Sequence, residues 1–344
     1  MLKKNRLQSV TKDGGWLERR LGGSLNLVEE GFHLIKASSV ESWVTYLLGT
    51  LPFLLALIYF WGDLVYRPKI ETSEILGMAG TLSLLYIWMK VWHSVYTMRL
   101  LEDYTDEKHA KLTAEEWRRI IFSQGIVQPT SWIILPTAIL LLFPFGWCYA
   151  FYHNFNIIGG KVRAISNKQT ESLWTDLKRS WAMAMARHKE NHLLIWMVSP
   201  YLMVLSAVLV LATIYALQLI YIEELRLLAA LMMVWIWILA GVLILMVPVA
   251  AAVAINIASV IIVGPMLVKI LFGIESSFTM SGTNFFSTTF VVIVCALTFL
   301  VMEPLVKAAY VLRIYRESSK KTGRDLLVNL HKVKKKKSAI QGQV

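Results

Sequence analysis

Charge and cysteine are what this sequence has least of. Charged residues fill 17% of its 344 positions, against about 25% in an average soluble domain. Hydrophobic residues reach 56%, and the mean hydropathy is +0.54. That balance excludes an ordinary water-soluble globule and points to a bilayer. The two cysteines, Cys148 and Cys295, each lie inside an apolar run, so neither a disulfide framework nor a cysteine metal site is on offer. Small buried apolar side chains are the plainer reading of both. Walker loops, Gly-rich dinucleotide turns and convincingly spaced Ser-His-Asp sets are missing too. The first apolar run starts near Trp43, behind a polar and basic stretch. A signal peptide has its basic region directly before the apolar core, so none is expected.

What is present is a formal charge of +12. The basic residues flank apolar segments and form no stripe interleaved with aromatics, which argues against nucleic acid. They read as topology signals and anionic-lipid contacts. Residues 1–23 carry Lys3, Lys4, Arg6, Lys12, Arg19 and Arg20 with two Gly pairs, and are expected to form a flexible cytosolic arm. In the stretch 24–37, Asn26 and Glu29 have capping-box spacing, and Leu25, Val28, Phe32 and Ile35 share one helical face. The expectation is an interfacial helix leading into the first span; His33 on it has no metal-like company.

Spans are expected over about Trp43–Trp61, with Pro52 inside, and Ile75–Val95. Lys90 and His93 lie one turn apart on the second. Such a Lys usually snorkels to the headgroups; a proton relay by the pair is the sharper alternative. The segment Thr97–Arg119 reads as polar, amphipathic and cytosolic. Ile120–Ile158 exceeds one span of about 20 residues and is broken by Pro129, Pro136 and Pro144. Residues 157–192 after it carry Lys161, Arg163, Lys168, Lys178, Arg179, Arg187 and Lys189 against Glu171, Asp176 and Glu190. The positive-inside rule puts that loop in the cytosol, so the broken segment crosses twice or dips and returns, with a tight helical hairpin favoured. Leu173, Trp174, Leu177, Trp181 and Met185 repeat at helical spacing and predict a helix lying on the membrane surface. His188 and His192 frame HKENH, which lacks the Glu directly after the first His that a zinc-protease helix needs.

His192–Tyr221 reads as another span, and the uncharged stretch Leu227–Val268 as two crossings with a turn near Pro248. Ala250, Ala254 and Ala258 form a small-xxx-small row. Asn256 beside it is expected to hydrogen-bond across a helix interface, or alternatively to touch a substrate. The last span runs from Thr288 through the Glu303-Pro304 step to a basic amphipathic helix ending near Leu326. Glu303 and Lys307 are four apart, in the favourable order for an intrahelical pair. Mutual neutralisation is the plain reading, and a charged-substrate or proton site the sharper one. The tail with Lys332, Lys334, Lys335, Lys336 and Lys337 predicts contact with anionic headgroups, on the order of 1 kcal/mol per basic residue.

Taken together these features predict an all-α, polytopic transmembrane helical bundle of six to eight membrane segments with cytosolic interfacial amphipathic helices. The expected domains are a basic arm over 1–23, one integral membrane domain over 24–326 and a polybasic tail over 327–344. Both termini are expected in the cytosol, which requires an even number of crossings, and no cofactor or metal is expected.

Several phrases carry a family resemblance: EEGFHLIKAS, LPFLLALIYFW, YIWMKVWHSVY, QPTSWIILP, FPFGWCYAFYHNFNIIGG, GIESSF and MEPLVKAAYVLRIYRESSKKTGRDL. From about Glu29 to Leu326 the chain resembles a family of uncharacterised bacterial integral membrane proteins. The final phrase is also similar to membrane domains found beside glycerophosphodiester phosphodiesterases, whose soluble catalytic domain this chain would lack. The resemblance implies a bacterial inner-membrane location and an assembly with envelope proteins, and it carries no catalytic residues. Three function classes follow. The first is a non-catalytic scaffold or accessory component of an envelope complex, with membrane lipids and a membrane-protein partner. The second is a transporter or lipid-handling protein using broken helices and buried polar groups. The third is an intramembrane enzyme, for which Lys90, His93, His153 and Glu303 are the only candidate contributors.

Overall fold

The computed structural model describes residues 16–67, 69–109, 111–141, 145–160, 172–186, 248–272 and 287–323, with a few isolated positions besides. Every regular element among them is a helix: α1 (Trp16–Ala37), α2 (Val40–Tyr66), α3 (Thr72–Thr105), α4 (Ala114–Val127), a 3-10 turn (Gln128–Thr130), α5 (Ser131–Leu141), α6 (Phe145–Gly160), α7 (Leu173–Ala186), α8 (Pro248–Phe272) and α9 (Thr288–Thr322). Four of these, α2, α3, α8 and α9, are long and apolar enough to cross a membrane. The spans expected between 192 and 247, and the tail from Lys332 to Lys337, lie outside the described residues.

Helix boundaries differ from the sequence reading in instructive ways. α1 starts at Trp16, so the Asn26–Glu29 spacing falls inside a helix and caps nothing. A capping box stands at Thr113–Glu116, where the Thr113 hydroxyl accepts from the Glu116 amide and the Glu116 carboxylate accepts from the Thr113 amide. α3 runs through to Thr105, ten residues beyond the expected end at Val95. The chain then reverses through Asp106, in the left-handed region at φ 59°. Pro52, Pro136, Pro265 and Pro304 all lie inside helices. Proline is tolerated in this way where neighbouring helices re-satisfy the freed backbone groups. α9 therefore passes Glu303-Pro304 as one helix and stops at Gly323 (φ 64°), the left-handed position that favours glycine at a helix C-terminus.

The chain folds into two compact units. The first is made of Met1–Gly49, Lys90–Asn191 and Lys307–Val344, and the second of Thr50–Met89 and His192–Val306. In the second unit the described surface is largely apolar. Only 6% of the most apolar window of α8 is buried inside the protein, which is untenable in water and ordinary in lipid.

In the first unit the apolar core, which includes Ile120, Phe155 and Leu312, also takes in polar side chains. α4 buries Glu116, Ser123 and Gln124 and exposes Ile121, Phe122 and Ile126. α7 buries Asp176, Ser180 and Ala184 and exposes Trp174, Trp181 and Met185. α6 packs against α4, α5 and α7. Polar side chains fasten α7 on three sides. Arg119 of α4 pairs with Asp176 at 2.8 Å, Asn154 of α6 donates to the Ser180 carbonyl, and Arg313 of α9 donates to the Met183 carbonyl.

Candidate functional site

The buried polar centre of the first unit is headed by Lys307. Its side chain is 1% exposed, and its Nζ donates to Asn156 Oδ1 at 3.0 Å. A lysine amine can only donate, so this bond fixes the orientation of the Asn156 amide. Asn156 Nδ2 then donates to the Lys90 carbonyl at 2.8 Å and to Gln124 Oε1 at 3.0 Å. With Gln124 Oε1 thereby an acceptor, it also takes a bond from Gln128 Nε2 at 3.0 Å. The Asn156 carbonyl accepts from Ser94 Oγ at 2.6 Å. One lysine thus sets the direction of a relay of three amides that ties α9, α6, α3 and α4 together. Gly159 makes the close approach of α4 and α6 possible, since a Cβ there would sit 2.9 Å from Gln124 Nε2.

Two imidazoles flank this relay. His93, fully buried, stacks on Tyr46 with centroids 5.4 Å apart. His153, 3% exposed, lies between Tyr149 at 4.3 Å and Tyr310 at 5.0 Å. Lys307 and Lys90 are within electrostatic reach of both rings. Gln124 Nε2, Gln128 Oε1 and His153 Nδ1 have no hydrogen-bond partner among the described residues.

The sequence-predicted residues divide between the units. Lys90, His93 and Lys307 meet in the first. Lys90 is 4% exposed and does not snorkel to a headgroup; because α3 continues to Thr105, Lys90 sits mid-helix, well short of its end. Glu303 is fully buried in the second unit, one turn before Lys307 on α9. Asn256 also belongs to the second unit. There it is exposed, and its amide donates at 2.8 Å to Ala252 of its own helix, where a bond across an interface was expected. Ala250 and Ala254 of the small-residue row are buried. The residues that sequence reasoning missed are Asn156, Gln124 and Gln128. Their signal was available: Gln124 and Gln128 are one turn apart, and FYHNFN places three polar side chains inside an apolar run. Among the described residues no group of three His, Cys, Asp or Glu side chains is arranged to hold a metal.

A second polar cluster joins α1, α2 and α3 in the same unit. Asp103 Oδ2 accepts from the Ser39 amide, Ser39 Oγ and Ser42 Oγ, the last at 2.6 Å. His109 places Nε2 2.8 Å from Asp103 Oδ1 and Nδ1 2.9 Å from Glu41 Oε2. Both ring nitrogens face carboxylates, so both must donate, which selects the imidazolium. Burial pulls the His109 pKa down, but the Glu41 and Asp103 carboxylates outweigh it and hold it above the ordinary value. Nearby, Glu30 of α1 accepts from Tyr104 and pairs with Arg316 of α9.

Comparison with protein-family models, with curated proteins and with solved structures gives no match.

Proposed function

We propose that this chain is a non-catalytic integral component of a bacterial inner membrane, scaffolding or assisting an envelope complex. The observation that carries this reading is the amide relay, whose hydrogen bonds from Lys307 through Asn156 and Gln124 to Gln128 hold four helices in register. A polar centre used in this way supplies a rigid frame and no substrate chemistry. The four apolar helices, with the largely apolar sequence between 192 and 247 and the uncharged stretch from Leu227 to Val268, support six to eight membrane segments. The charge pattern supports two cytosolic termini and a polybasic tail on anionic headgroups. The resemblance to bacterial integral membrane proteins supports the location. The face for a partner is α8, whose exposed Ile255, Val260 and Val263 stand beside a row of small residues.

A photo-crosslinking residue placed at Val260 in native membranes is expected to yield a discrete adduct with a second polypeptide. Labelling of lipid alone would remove α8 as the partner face. The competing reading, a transporter or lipid-handling protein, draws on the three orphaned atoms of Gln124, Gln128 and His153. A buried polar atom without a partner costs about 1–3 kcal/mol, which a bound solute or water would recover.

A further inference from the structure

We infer that α4 and α7 together form an interfacial platform that beds in the headgroup–acyl boundary of an anionic phospholipid leaflet. The inference rests on the membrane reading above and adds a lipid-contacting surface to it. Its first support is the inverted pattern of α7, with an exposed apolar row on α4. A helix on a soluble protein turns its apolar stripe to the core, yet α7 buries Asp176, Ser180 and Ala184 while Trp174 is 64% and Trp181 46% exposed. α4 buries Ile120 and Val127 beside Glu116, Ser123 and Gln124, yet leaves Phe122 62% exposed with Ile121 and Ile126 exposed beside it. The inward faces are fixed by the Arg119–Asp176 pair and by the bonds from Asn154 and Arg313. The outward aromatic and aliphatic rows are therefore held in place and cannot roll inward to escape water.

Charge selects the leaflet. Lys178 sits 5.3 Å over the Trp174 ring, and its neighbour Arg179 extends the basic edge of α7. The acidic residue of this helix, Asp176, is buried on Arg119 and presents no negative charge to a headgroup. Tryptophan with lysine beside it is the composition that lies in a membrane interface, burying roughly 5–10 Å into the headgroup region.

The test is site-directed spin labelling in vesicles of phosphatidylcholine, with and without phosphatidylglycerol. Cys148→Ala and Cys295→Ala first remove the native thiols. Labels go at Phe122→Cys and Trp181→Cys, with Met185→Cys as a second α7 site should Trp181, which contacts Phe151, be needed for folding. Leu84→Cys on α3, exposed and apolar, reports a membrane span, and Lys108→Cys, exposed, reports water. The expected result is accessibility to a polar nickel reagent severalfold lower at 122, 181 and 185 than at 108. Shielding on α7 should deepen when phosphatidylglycerol is added, and Lys178→Glu should cancel that gain. Labels on α4 and α7 as water-exposed as position 108, with position 84 shielded, overturn the platform and leave the membrane reading standing. Water exposure at position 84 as well overturns the membrane reading itself. Equal shielding in both lipids overturns the anionic selection.

Discussion

Replacing Asn156 with Leu is expected to destabilise the protein by about 3–5 kcal/mol, the sum of several buried hydrogen bonds lost at once. The side chains have similar volume, so packing changes little and the polar relay is what disappears. Lys307 loses an acceptor at 3.0 Å, the Lys90 carbonyl loses a donor, and Gln124 Oε1 loses one of its two donors among the described residues. Ser94→Ala provides the scale. It removes one bond to the Asn156 carbonyl and should cost about 1 kcal/mol. Both would be read as reversible unfolding in mixed micelles on titration with a denaturing detergent. Equal small losses from the two substitutions would mean that the relay holds nothing together.

The second large effect is a pH dependence located at His109. Its folded pKa is held above the unfolded value of about 6.5, because Asp103 and Glu41 outweigh burial. A group shifted upward stabilises fully below the unfolded pKa and loses that contribution as pH rises through the folded pKa. Stability should therefore fall as pH rises above about 6.5 and through the raised folded pKa. Asp103, with a side chain 13% exposed, supplies most of the effect, while the 75% exposed Glu41 adds little. His109→Ala should lose about 1.5–3 kcal/mol at the acid end and remove the slope. Thermal unfolding of wild type and variant across that range measures the difference directly. A slope that survives in His109→Ala belongs to other groups.

The membrane helices were legible because a run of apolar residues as long as a bilayer is thick has few other uses, and α2, α3, α8 and α9 stand where such runs occur. Their ends were less legible. Lys90 and His93 look terminal when the apolar run ends near Val95, yet α3 continues through a more polar sequence to Thr105 and places both in the protein interior. The Thr113–Glu116 cap was readable from its spacing, and the same spacing at Asn26–Glu29 sat inside a helix. Periodicity predicted a helix at α7 with an apolar face toward a membrane surface, and the structure leaves Trp174, Trp181 and Met185 of that face exposed. The partners of its buried face, Arg119, Asn154 and Arg313, come from other helices and are not readable from the spacing. Asn156 was hidden for a related reason: an amide in an apolar run carries no charge to draw the eye, and its importance lies in partners from α3, α4 and α9.

Gentle solubilisation from native membranes, followed by mass spectrometry of the intact assembly, tests the functional account most directly. The scaffold reading predicts a stoichiometric protein partner whose retention falls in step with folded fraction in Asn156→Leu. A lone chain carrying a defined lipid or solute, in wild type and at equal yield, would contradict it and assign the buried polar centre to transport.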